Sequence, residues 1–194
     1  MLRRVSLGIS CTSSSPKIPL DYDAHHSQDI DHSDYDDHPN SEEGPPTMPM
    51  IDVYATAGTF ADRHKLAADL AGALMAIEGV PNIPMFRQNT AGFVHDLPQG
   101  DISNVDGESG YVRVQVLTNA EALDREKQLE VVSQFTALVA QAAGDPTLTD
   151  RTWVLLTQAV PGGWGLGGHA HTNEELVAAA RAQIAELQAG RADK

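Results

Sequence analysis

The sequence predicts an α+β domain in which tandem βαβ units form a four-stranded mixed sheet, with two helices on one face and a further C-terminal helix. Three observations lead there: a change in composition near residue 48, a strand–helix–strand order that occurs twice after it, and matching local sequence at the two helix starts. Asp62-Arg63-x-Lys65 and Asp124-Arg125-x-Lys127 hold equivalent places, and Gly-x-Pro follows both helical stretches. Such agreement in order and wording points to an internal duplication, although convergent helix punctuation would leave similar marks.

The first unit, residues 49–98, opens with MIDVYATA. Ile51, Val53 and Ala55 alternate with Asp52 and Tyr54, the period of a half-buried strand. In ADRHKLAADLAGALMAIE, Leu66, Leu70, Leu74 and Ile77 form a helical stripe that Gly79 and Pro81 terminate. A second extended segment is expected through PMFRQNTAGFV. The second unit, residues 110–160, repeats the order: YVRVQVLT alternates Val112, Val114 and Val116 with Arg113 and Gln115. A helix from about Leu123 is expected to bury Leu129, Val132, Val139 and Ala142, stopped by Gly144 and Pro146, and TWVLLTQ closes the unit. Acidic Asp62 and Asp124 suit the positive ends of the helix dipoles.

Residues 161–190 complete the domain with a glycine-rich loop, PGGWGLGGHAH, and a helix entered through a Thr172–Glu175 capping box. Its apolar stripe is Leu176, Ala180, Ile184 and Leu187, set to pack on the core or on a neighbour. Right-handed crossovers place both main helices on one side of the sheet, leaving the other side bare. Burying that side against other subunits is the simplest remedy, so a homo-oligomer is expected.

Residues 1–48 differ from all of this. The segment DYDAHHSQDIDHSDYDDHPNSEEGPP has no hydrophobic period, and residues 1–48 carry three basic against nine acidic side chains. So little apolar surface cannot offset the entropy of ordering, and a disordered acidic extension is expected, with translation expected to begin at Met48. His25, His26, His32 and His38 match no closed ligand spacing, and no metal site is expected. Val5 to Ile9 is too short and broken to serve as an export signal.

Bulk properties exclude several functions. Lys+Arg 13 against Asp+Glu 27 in 194 residues gives a formal charge of −14, which disfavours nucleic acid and anionic membranes. No apolar stretch nears the roughly 20 residues needed to span a bilayer. A single cysteine, Cys11, rules out an internal disulfide and a cysteine zinc cage, fitting a cytoplasmic location.

Chemistry concentrates at Met48-Pro49. Proline is tolerated at a strand's first position, which would explain Pro49 without any function. Exposed as a chain terminus, however, its secondary amine titrates near 7.7–8.0 in ordinary α-amino groups, and apolar walls disfavour its charged form. A neutral amine at pH 7 is a competent general base. His169 and His171 suit either proton transfer or polar loop positions. The glycine loop lacks the strand–loop–helix context and Lys-Ser/Thr of a phosphate cradle.

Pro49-Met50-Ile51-Asp52-Val53-Tyr54, the duplicated βαβ order and Gly163-Trp164-Gly165-Leu166-Gly167-Gly168 together resemble the tautomerase superfamily, typified by 4-oxalocrotonate tautomerase, over roughly Pro49 to Gly168. The resemblance implies that Pro49 is the catalytic acid-base, shuttling a proton on a small 2-oxo or enol acid. It implies that arginines hold the substrate carboxylate, that Trp164 closes the site, that no cofactor is needed, and that the assembly is a homotrimer. The family's first arginine position holds Thr59. Its second falls on Arg151 or on Trp153, depending on the anchor chosen, and Arg113 and Arg87 are further candidates for a bidentate guanidinium. Dehalogenase and decarboxylase branches, in which a cationic proline activates water addition, and a non-catalytic trimeric ligand-binding protein are the alternatives. If the preceding residues stay attached, Pro49 nitrogen is an amide and proline-dependent chemistry is closed.

Overall fold

Alternating burial along three of the strands builds a single four-stranded sheet with one covered side. The computed structural model describes residues 48–192, so the acidic extension, with Cys11, His25, His26, His32 and His38, lies outside the described residues. Strand β1 (Met50–Thr56) leads into helix α1 (Arg63–Glu78), a short helix α2 (Pro84–Asn89) and β2 (Ala91–Leu97). The second unit runs β3 (Val112–Asn119), α3 (Arg125–Ala143), a 3₁₀ turn (Pro146–Asp150) and β4 (Thr152–Ala159). A hairpin of β5 (Trp164–Leu166) and β6 (His169–His171) precedes α4 (Asn173–Ala192).

The sheet order is β2-β1-β3-β4. β1 and β2 are parallel, β3 and β4 are parallel, and the antiparallel β1–β3 pairing joins the two units. Register follows the hydrophobic pattern: Ile51 faces Val116 and Val53 faces Val114, so the apolar sets of both central strands share one side. Ile51, Val53, Val114 and Val116 are completely buried there beneath Leu66, Leu70 and Leu74 of α1 and Val131, Phe135 and Val139 of α3. Each such leucine or valine contributes about 1.5–3 kcal/mol relative to an exposed side chain.

Both helices are fixed by the same caps. Asp62 accepts from Lys65 N–H at 2.9 Å, and Asp124 from Lys127 N–H at 2.8 Å. The acidic residues at the two starts therefore act through hydrogen bonds to otherwise unpaired amides as well as through charge. At the other ends Gly79 and Gly144 adopt left-handed φ of 75° and 65° and return their N–H groups to the last turn. Lys127 Nζ also donates to the Glu78 carbonyl at 3.1 Å, tying the end of α1 to the start of α3. Gly92 on β2 is required by proximity: a Cβ there would lie 2.7 Å from the Ala67 carbonyl oxygen of α1.

Four expectations are corrected. Pro84–Asn89 is helical, not extended; Pro84 at the first turn already has a helical φ and needs no N–H there. On α3 the buried stripe is Val131, Phe135, Val139 and Ala140, with Ala142 packed beside it, while Leu129 and Val132 are exposed. The glycine loop is a hairpin whose two-residue turn, Gly167-Gly168, has φ of 60° and 81°, values that glycine adopts without a Cβ clash. On α4 the stripe holds through Leu176, Ala180 and Ile184, but Leu187 is exposed. The Thr172–Glu175 capping box is present in both directions, at 2.9 and 3.3 Å.

Candidate active site

A second apolar cluster lies away from the helix–sheet core, at the head of β1. Met48 is fully buried in it, among Ile83 and Phe86 from the α2 region, Trp164 of the hairpin, and Leu176 and Ala180 of α4. Met50, Met75, Met85, Leu117 and Ile184 close its edges. The capping box starts α4 in the right direction, and Gln183 of α4 accepts from the Met85 N–H at 2.9 Å, which seats α2 against that helix. Pro49 is buried, and its carbonyl accepts from Ala91 N–H at 3.2 Å, so its position is fixed at the first rung of the β1–β2 pairing.

The structure thus brings Pro49 and Trp164 to one end of the sheet. Trp164 is 6% exposed and presses on the cluster that Met48 fills. In the intact chain Pro49 nitrogen belongs to the Met48–Pro49 amide, whose lone pair is delocalised into the carbonyl and is not basic. The Met48 side chain occupies the apolar volume beside that nitrogen.

The arginines separate. Arg87 lies on α2, not on a strand as expected, four residues before Ala91 and hence on the Pro49 side. Its guanidinium donates to Asn82 Oδ1 at 3.2 Å and lines a groove of about 570 Å³ with Ala68, Gly72, Met75 and Thr90. Thr90 Oγ1 is enclosed there without a hydrogen-bond partner. Arg113 pairs across the sheet with Tyr54, five residues along β1 from Pro49, which is about 16 Å at strand rise. It stacks on the Tyr54 ring at 5.1 Å and donates to Gln115 at 2.7 Å.

Arg151 is held at the same far end. It donates to the Gly110 carbonyl, to Asp145 at 2.9 Å and to Thr147 at 2.6 Å. Hydrogen bonds from the Thr147 hydroxyl and N–H, joined by the Arg151 charge, hold the Asp145 carboxyl below its ordinary value. Trp153, the other candidate for that alignment, stacks on Tyr111 at 4.6 Å on the open sheet side. Thr59 turns inward to its own strand, donating to the Thr56 carbonyl at 2.7 Å.

The open side of the sheet carries Phe93, Trp153 and Leu155, all substantially exposed, around a polar centre. There His95 and Asp52 lie 2.6 Å apart and His95 stacks on Tyr54 at 4.5 Å. His169 and His171 project from β6 toward the start of α4, with Glu175 between them. Two residues of the apolar site were not marked by the sequence reading: Met48, treated only as the residue before Pro49, and Phe86. The Ile83–Phe86 spacing beside Pro84 is the signal that would have found the latter.

The class defined by this geometry is an α+β domain of two fused βαβ units, with a buried apolar cluster at the head of the first strand. No protein-family model and no curated protein matches the chain. Solved structures do. It is similar to a fused 4-OT asymmetric trimer at 18% identity, covering 66% of this chain and 98% of that one with a TM-score of 0.53. A fused 4-OT symmetric trimer matches at 16% identity over 65% and 97%, TM-score 0.53. A member of the cis-3-chloroacrylic acid dehalogenase family matches at 18% over 61% and 80%, TM-score 0.50. The chain shares the fold of these fused, two-unit structures. Among the described residues no helix is long and apolar enough to cross a membrane.

Proposed function

We propose that the domain beginning at Pro49 is a tautomerase that moves a proton on a small 2-oxo or enol acid, with Pro49 nitrogen as the acid-base group. The observation that carries this reading is the burial of Pro49 at the head of β1, beside an apolar cluster closed by Trp164, in a fold whose solved relatives include fused 4-OT. Release of the residues through Met48 does two things together: it creates the secondary amine, and it vacates the volume that Met48 fills. Apolar walls of Phe86, Ile83 and Trp164 then disfavour the protonated amine and leave a base near neutrality.

The amine removes an acidic proton next to the substrate carbonyl, forming a C=C bond as electrons move onto oxygen, and the proline cation returns the proton to another carbon. Charge on the dienolate oxygen needs a fixed cation, which supplies much of the rate in such reactions. Arg87 is the candidate from the same chain. Arg113 and Arg151, at the far end of the sheet, serve a neighbour's pocket in a homotrimer built on the open sheet side, a role supported by the exposure of Phe93, Trp153 and Leu155.

A second reading has its own support. In the intact chain the nitrogen is an amide and Met48 plugs the pocket, which favours a non-catalytic trimeric binding protein. Ketonisation of an enol pyruvate separates the two. Protein starting at Pro49 is expected to be active, Pro49→Ala to lose about 10²–10⁴-fold, and the 194-residue chain to be inactive. Equal rates for the Pro49 protein and its alanine variant would overturn the tautomerase reading.

A further inference from the structure

We propose that His169, His171 and Glu175 form a site for a divalent transition-metal ion of the zinc class, clamping the Trp164 hairpin to the start of α4. The three side chains offer ligand atoms that all lie within 4.8 Å of one another. His169 Nε2 is 3.1 Å and His171 Nδ1 is 4.0 Å from Glu175 Oε2. Ligand atoms held about 2.0–2.2 Å from a tetrahedral ion sit roughly 3.3 Å apart, so these separations bracket the required geometry with only side-chain adjustment.

The arrangement follows from the chain's local structure. His169 and His171 are two residues apart on a strand and therefore share a face. The tight Gly167-Gly168 turn and the capping box fix that face against the first turn of α4. Two imidazoles and one carboxylate on one side leave the remaining positions open to water or a ligand, the donor set of transition metals rather than of magnesium or calcium.

The second observation concerns the state of His171. Its Nε2 lies 3.2 Å from the Leu166 carbonyl, an acceptor only, so Nε2 carries the hydrogen. In the neutral ring Nδ1 then presents the lone pair, and that atom is enclosed with no hydrogen-bond partner, 4.0 Å from Glu175 Oε2. An imidazole that donates one N–H to a backbone carbonyl and aims its other nitrogen at a carboxylate is oriented as metal-bound histidines are. Glu175 Oε2 accepts from the Thr172 N–H at 2.9 Å, which holds the carboxylate in place beside both rings. A bound ion replaces the proton that His169 and Glu175 share, the ring's proton moving to Nδ1.

The consequence reaches the pocket. His171 is the cross-strand partner of Trp164, so an ion at this site fixes the strand that carries the pocket's aromatic wall. The site does not depend on Pro49 chemistry.

Calorimetric titration of Zn²⁺ tests it, using the full-length chain with His25, His26, His32 and His38 replaced by alanine so that imidazoles of the acidic extension do not contribute. One Zn²⁺ per chain is expected, with affinity falling at least about tenfold in His169→Gln, His171→Gln and Glu175→Gln. Glutamine at 175 keeps the capping box, and His169 is largely exposed, so those two variants report on binding if His171→Gln does not fold. Binding that is unchanged in these variants, or no saturable binding, overturns the proposal.

Discussion

The heads of β1 and β3 occupy equivalent places in the two βαβ units, yet their surroundings have opposite character. Pro49 is buried beside a cluster of Met48, Phe86 and Trp164, with no ionisable group among the cluster's buried members. Tyr111, at the head of β3, is half-buried, stacks on Trp153 and lies next to Gly110, whose carbonyl accepts from Arg151. The segments that close each unit explain the contrast. In the first, α2 delivers Phe86 and Met85; in the second, the 3₁₀ turn delivers Asp145, Thr147 and Arg151. The repeated βαβ order supplies the scaffold, and the closing segment decides whether an end of the sheet disfavours charge or holds it.

The largest effect separates the two heads directly. Where Pro49→Ala removes about 10²–10⁴ of the ketonisation rate, Tyr111→Ala in the same protein is expected to keep most of it. A comparable loss at Tyr111 would mean that both ends serve one reaction within a chain. Next, Phe135→Ala should cost about 3–5 kcal/mol in urea unfolding, whereas Leu129→Ala should stay within about 0.5 kcal/mol because its side chain is in water. Similar losses at the two would place the α3 stripe where the apolar spacing alone first suggests it.

The caps test whether the units are equivalent where they look so. Asp62→Ala and Asp124→Ala are each expected to destabilise by about 0.5–2 kcal/mol, and a clear inequality would show that shared wording does not carry shared energetics. The smallest effect lies in the polar closing turn. Asp145 has a folded-state pKa below the ordinary 3.8, so its contribution is fully present above that value and is lost as pH falls through the folded value. Asp145→Asn should therefore lower stability slightly at pH 6 and flatten the acid limb of a denaturation series; an unchanged limb would show that the carboxyl is not coupled to folding.

Much of the scaffold was legible because long elements declare their period. β1 and β3 alternate without interruption, and Leu66, Leu70, Leu74 and Ile77 bury as spaced. α3 was placed correctly but rotated, since Leu129 and Val132 compete with Val131 and Phe135 for the same 3–4 spacing and only the sheet decides between them. α2 and the β5–β6 hairpin escaped because six and three residues are too few to show a period. Pro49 and Trp164 stand out in the sequence as single distinctive residues, and the structure sets both, buried, beside the second apolar cluster. The placement of the arginines depends on which ends of which strands meet, which a sequence does not display: Arg113 and Arg151 lie at the end remote from Pro49 and Arg87 lies on α2. Glu175 was read solely as a cap, its neighbours His169 and His171 being brought to it by a turn the sequence showed only as glycines.

The residue whose carbonyl acylates Pro49 nitrogen is also a fully buried member of the apolar cluster at the head of β1. Under the proposed function, a cut ahead of Pro49 would thus both free the nitrogen and leave the cluster without its Met48 side chain.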